Sequence, residues 1–235
     1  MESQSQELIP VIYQDEQLLV VHKPAGLQVH RGLGADREDT FLLQLVRDQT
    51  NQFLYPVHRL DRPTSGLVVF ALDSNSARLI QESWKAGQVQ KSYQAIIRGW
   101  MPEPSGLCDE ALDDPDNGNL QDAQTSWRQL ETFSVPIPIN NHLETRLSLV
   151  ELEPFTGRYH QLRRHFSRLH HPILGDTTHG DRHHNHWMQK HFGWWRLMLF
   201  AYKLSFPHPT EPKIITIEDS PCRGAASFWD ILKKL

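Results

Sequence analysis

The chain has 235 residues, enough for one large domain or two small ones, and its 39% hydrophobic and 22% charged content is ordinary for a globular protein with a sizeable core. No run of about 18 apolar residues is present to cross a membrane. Two cysteines (Cys108 and Cys222) are too few for a disulfide framework, and a formal net charge of −4, taken as one number, disfavours a nucleic-acid partner.

Residues 10–13 and 18–22 read as strands, with Asp15-Glu16 as a tight turn between them. Lys23-Pro24-Ala25-Gly26 then breaks the pattern, because proline removes a ladder donor and glycine permits a bend. Asp39-Thr40 is expected to cap a helix whose apolar residues Phe41, Leu42, Leu45 and Val46 recur at helical spacing. The apolar run 66–72 fits a strand buried on both faces. A helix follows from Ser74 to about Lys85, stopped by Gly87, and a strand over 92–98. The acidic stretch 99–118, with its prolines and glycines, reads as an exposed loop or insertion.

Strands are expected at 125–133 and 142–151, the second from the alternation of Leu143, Thr145, Leu147 and Leu149 with Glu144, Arg146 and Ser148. Residues 160–169 form a helix with Leu162, Phe166 and Leu169 on one face. Late strands at about 197–206 and 213–217 and a helix at 225–234 complete the chain. The elements mix without regular β-α-β alternation. They imply an α+β fold with a mixed, largely antiparallel sheet flanked by helices and loops.

Charge is segregated along the chain. Residues 101–125 carry seven acids and no Lys or Arg, whereas 156–196 carry seven bases against two acids and nine of the 14 histidines. A local basic patch, rather than the total, is what attracts phosphates, although a solvated basic face fits equally well. The histidines His179, His183, His184, His186 and His191 lack a ligand spacing suited to zinc. A surface loop touching RNA is the preferred reading, with no metal.

The densest chemistry lies in His58-Arg59-Leu60-Asp61-Arg62-Pro63-Thr64-Ser65-Gly66, just before the buried run. Flanking arginines favour the charged form of Asp61, and proline and glycine fix the loop. From the residues alone, a surface ion-pair loop is the favoured reading.

This stretch resembles the signature of the RluA-type pseudouridine synthases, in which His-Arg-Leu-Asp is followed after two residues by Thr-Ser-Gly. Val20-Val21-His22-Lys23-Pro24-Ala25-Gly26-Leu27, Lys91-Ser92-Tyr93, Thr156-Gly157-Arg158-Tyr159-His160-Gln161-Leu162-Arg163 and His171-Pro172-Ile173-Leu174-Gly175-Asp176 are similar to the family's other blocks, in order. Two positions depart from it: His22 stands for the usual Asn before Lys-Pro, and Phe200 for a common His.

The resemblance implies a single catalytic domain over 8–235 without an S4-type N-terminal RNA-binding domain, no cofactor, and isomerisation of uridine to pseudouridine in RNA. Asp61 would be the nucleophile, Tyr93 the stacking partner of uracil and base for the C5 proton, and Arg163 the partner that keeps Asp61 charged. Arg59 would fill the stack vacated by the flipped uridine, and Arg62, Arg158, His160, Gln161, Arg164 and Arg168 would bind the RNA. Softer likenesses around Val150-Glu151-Leu152-Glu153-Pro154 and Thr178-His179-Gly180-Asp181 point to members acting on position 65 in the T stem of tRNA, with ribosomal RNA as the alternative. A cytoplasmic monomer is expected, since residues 1–7 lack the features of a secretory signal.

Overall fold

The computed structural model describes residues 8–31 and 40–220, so the helix expected at 225–234 lies outside the described residues. In chain order the elements are β1 (Val11–Gln14), β2 (Leu18–Lys23), α1 (Leu42–Thr50), β3 (Tyr55–Pro56), β4 (Ser65–Ala71) and α2 (Ser74–Lys85). There follow β5 (Gln90–Arg98), β6 (Ser105–Cys108), β7 (Leu112–Asp113), β8 (Leu120–Gln121), β9 (Thr125–Val135) and β10 (Thr145–Pro154). The last are α3 (Gln161–Arg168), α4 (Arg182–Phe192), β11 (Leu199–Pro207) and β12 (Ile214–Glu218). Contacts divide the chain into two compact units: one of residues up to Val89 together with Ser205–Asp219, and the other built on Gln90–Leu204.

In the first unit, β2 pairs antiparallel with both β1 and β4, and β3 pairs with the end of β4. Every residue of β2 is buried, as is all of β4 after Ser65, which explains their near-continuous apolar sequence. The carboxylate of Asp15 accepts from Gln17 N and Leu18 N and so closes the β1–β2 turn. Asp73 caps α2 through Asn75 N and Ser76 N, and Gly87 (φ 69°) ends it by donating to Trp84 O. The first helix differs from expectation. Its N-cap is Phe41, with no side-chain cap, because Phe41 is held in a bridge to Gln28 and buried with Leu42 and Val46. Thr40 is therefore not the cap, and Asp39 lies outside the described residues.

In the second unit the ladder runs β5-β10-β9-β6, antiparallel throughout. Leu162 and Phe166 of α3 pack with Ile96, Val150 and Leu152 of the ladder and with Trp187 and Met188 of α4 in one apolar cluster. Burial of one face of each helix against a sheet is what gives these short helices their stability.

Three sequence readings are corrected here. The stretch 99–118 is not a plain loop: β6 extends the ladder, and β7 and β8 pair antiparallel around a turn that Asp114 and Asn117 close. The histidine-rich segment is not a surface loop but the helix α4, capped by Asp181 and ended by Gly193 at φ 64°. Finally, β10 begins at Thr145, because His142 is bridged to Ile139 in the preceding turn. Among the described residues no group of three metal-binding side chains forms, and no helix is long and apolar enough to cross a membrane.

Candidate active site

In the first unit, Asp61 sits in the loop between β3 and β4, half-buried, with Leu60 and Thr64 buried on either side of it. Pro63 bends the chain so that Thr64 N donates to Asp61 O at 3.1 Å. The start of the loop is fixed by His58, which stacks on Trp84 at 4.6 Å and accepts from Val69 N at 3.0 Å. Its far side is clamped to the Lys23–Leu27 turn: Gly26 N donates to Arg62 O at 2.8 Å, and Arg62 Nε donates to Gly26 O at 3.0 Å. Arg59 and Arg62 are otherwise exposed. Burial, helped by the nearby guanidinium of Arg59, lowers the affinity of His30 for a proton.

Beneath this loop lies a residue to which the sequence assigned no role. Lys23 is fully buried, and its ammonium donates to Pro24 O (3.0 Å), Leu27 O (2.7 Å) and Arg62 O (3.1 Å). Burial pushes its pKa down to about 7, against the opposing pull of the Asp61 carboxylate. The three carbonyls tie the Lys23–Leu27 turn and the Asp61 loop to one cation. A lysine in a Lys-Pro-Ala-Gly turn gives no sequence sign that it will be buried.

In the second unit, Tyr93 lies on β5 opposite Leu152 of β10, partly buried against the apolar cluster. Arg163, 3% exposed on α3, makes a bidentate pair with Asp176, Nε–Oδ2 at 2.7 Å and Nη2–Oδ1 at 2.8 Å. Burial would raise the Asp176 carboxyl; Arg163 and the backbone N–H groups of His179 and Thr178 outweigh it and hold the group below the usual carboxylate range. The turn carrying Asp176 requires glycine at 175, whose φ is +75° and where a Cβ would lie 1.9 Å from Arg196 O.

The segment before α3 is held from within. Gln161, 5% exposed, accepts from Thr156 Oγ1 and Arg158 N and donates to Gln124 O and Thr125 Oγ1, so its amide is engaged within the protein. His160 adopts φ 51°, stacks on Tyr159 at 3.8 Å and meets His179 Nε2 through Nδ1 at 2.9 Å.

The basic patch is not bare. Arg164 pairs with Asp113 and donates to its carbonyl, Arg168 donates to Glu110 Oε1 (2.8 Å) and Ala111 O (2.9 Å), and Arg158 donates to Asp122 O (2.9 Å). The acidic and basic stretches that the sequence keeps apart therefore fold against each other.

A model of the RNA pseudouridylate synthase family matches residues 17–168, a span that includes the Asp61 loop, Tyr93 and Arg163 and runs across the division at Val89. The chain belongs to this family. As an RNA pseudouridylate synthase it is an isomerase that converts uridine to pseudouridine within RNA.

The chain is 44% identical over 211 residues to a tRNA pseudouridine synthase C of Vibrio cholerae serotype O1, covering 86% of each chain. It is 43% identical over 230 residues to that of Pasteurella multocida, covering 94% of this chain and 93% of the relative. To that of Pectobacterium carotovorum it is 42% identical over 234 residues, but spans 62% of that relative's length. Among solved structures it is similar to human RNA Pseudouridylate Synthase Domain Containing 1, with a TM-score of 0.74, 28% identity, and coverage of 94% of this chain and 87% of that one. Human RNA Pseudouridylate Synthase Domain Containing 4 gives a TM-score of 0.73, 26% identity, and coverage of 95% and 93%. These synthases share the α+β, largely antiparallel framework described above.

Proposed function

We propose that this synthase acts on tRNA, at uridine 65 in the T stem, with Asp61 as the nucleophile. The reading of tRNA rests on the names of relatives at 42–44% identity. The observation that carries the nucleophile is the loop itself, whose carboxylate is presented by a Pro63 turn clamped through Arg62 and Lys23. A side chain carried on a backbone fixed in this way meets the requirement for a preorganised reactive group.

In the reaction the N1–C1′ bond breaks and a C5–C1′ bond forms; N1 gains a proton and C5 loses one, so nothing is oxidised and no redox cofactor is called for. Asp61 supplies the carboxylate that promotes cleavage, as carboxylates do in retaining glycosidases. Tyr93 stacks on the uracil and takes the C5 proton. Arg163, itself aligned by Asp176, keeps the Asp61 carboxylate charged and aimed. A paired uridine has to leave the stem first, which costs a few kcal/mol, and Arg59 is suited to fill the gap because it is exposed beside the nucleophile.

Arg62, Arg158, Arg164 and Arg168 contribute to the RNA-binding surface. Arg164 and Arg168 do so with charges already partly met by Asp113 and Glu110. His160 and Gln161 shape the segment beside them. The protein works as a cytoplasmic monomer.

The experiment is incubation of the pure protein with transcribed tRNA, the same tRNA carrying cytidine at position 65, and ribosomal RNA, followed by pseudouridine mapping. Conversion at 65 of the first alone supports the reading. Conversion of ribosomal RNA alone overturns the substrate and leaves the enzyme class intact.

A further inference from the structure

Lys91 begins the Lys-Ser-Tyr block, and no role has been assigned to it. It lies two residues before Tyr93 on β5, so the two side chains leave the strand on the same face, about 7 Å apart. Its ammonium has one acceptor, the carbonyl of Thr156 at a long 3.5 Å, and it sits 4.0 Å from where a Cβ on Gly157 would be. Among the described residues no carboxylate pairs with it.

Lys91 is half-buried, and it contrasts with the protein's fully buried cations. Arg163 has both oxygens of Asp176, and Lys23 has three carbonyls and the nearby charge of Asp61. A lysine ammonium carries three donors, and withdrawing it even partly from water without a counter-charge carries a cost. Lys91 shows that cost in a lowered pKa caused by burial alone. The segment above it is open at Gly157 and is pinned through Gln161 and Gln124, so it does not collapse to fill the space.

We propose that Lys91 is a substrate-positioning residue that holds a phosphate next to the target uridine, so that the uracil arrives in register with Tyr93. The proposal rests on the reading that Tyr93 engages the uracil. The missing counter-charge is brought by the RNA itself: one phosphate oxygen replaces the long Thr156 contact, and the other donors reach the remaining oxygen or water. Lysine suits this task as a point charge that tolerates some variation in phosphate position.

The test uses T-arm stem-loop RNAs, each with one methylphosphonate linkage beside a 2′-deoxy sugar, compared with RNA carrying the deoxy sugar alone. The parent should lose about 10- to 100-fold in kcat/KM when one linkage adjoining the target is neutral, and little at distant ones. Lys91→Met should lose a similar factor on native RNA, mostly in KM, and lose nothing further at that same linkage. Lys91→Arg should recover part of the loss, and Lys91→Gln serves if the Met variant does not fold. Full additivity between variant and neutral linkage would overturn the proposal, as would a parent indifferent to every adjoining linkage. Tyr93→Phe, run alongside, should fall in kcat at every linkage. Parent-like turnover by that variant would overturn the reading of Tyr93, whereas the linkage pattern speaks to Lys91 alone.

Discussion

At the scale of single residues, Asp61, the Arg163–Asp176 pair and Lys23 carry the charges that matter most. Asp61 is presented on a clamped turn, and Asp61→Asn removes the proposed nucleophile while keeping the shape. Pseudouridine formation should fall by at least about 1,000-fold, with circular dichroism and RNA affinity close to the parent's. Arg163 and Asp176 form a buried pair, so Arg163→Ala leaves a carboxylate buried without its cation. It should cost about 3–5 kcal/mol in urea unfolding as well as activity, whereas an exposed pair such as Arg78–Glu82 should cost under about 1 kcal/mol.

Lys23 makes a prediction in pH. Its folded pKa of about 7 lies below the ordinary lysine value of 10.5, so between those values the unfolded chain binds more protons than the folded one. Its burial cost is therefore present in full below pH 7 and relieved as pH rises toward 10. Parent stability should include an upward contribution across that window, and Lys23→Met should remove it. Urea unfolding of both proteins at pH 6, 7, 8.5 and 10 checks this. Parallel curves would mean that Lys23 does not titrate there.

At the scale of elements, the sequence spoke clearly where one rule dominated. The apolar run 66–72 became β4 because both its faces are covered, and Asp73 with Gly87 bounded α2 where capping chemistry places the ends. It spoke poorly where distant partners decide. The acids of 101–125 look like a loop until Glu110 and Asp113 meet Arg168 and Arg164, a pairing between residues some 50–58 apart. The histidines of α4 looked like a loop because their polarity masks Trp187 and Met188, which supply its buried face.

This clasp also carries a prediction. Replacing Glu110 with Gln and Asp113 with Asn frees two arginines. RNA affinity should rise, with a salt dependence steeper by up to about two phosphate contacts, and stability should change by less than about 1 kcal/mol per pair. Arg164→Ala with Arg168→Ala should weaken binding without changing which uridine is modified. Fluorescence anisotropy across a salt series measures both. Unchanged slopes in both variants would leave these arginines as a purely internal clasp.

At the scale of the whole molecule, an α+β class and a largely antiparallel sheet were legible from element order alone, and family blocks at ordered spacing single out a candidate site. Asp61, Tyr93 and Arg163 are proposed for it because their motifs are specific. Lys23 and Asp176 stood in quoted motifs without a role, since nothing local reveals that a lysine will be buried among carbonyls or which carboxylate will meet a given arginine. The division of contacts near Val89 was likewise invisible, because no change in composition marks it.

An Asp61-dependent synthase acting on the T stem of tRNA is put to the test by nucleotide-resolution pseudouridine mapping of total RNA from cells lacking the gene, complemented with either the parent chain or Asp61→Asn. Pseudouridine at tRNA position 65 should be lost with the gene, restored by the parent and not restored by the variant. Restoration by Asp61→Asn, or a loss confined to ribosomal RNA, would contradict this reading.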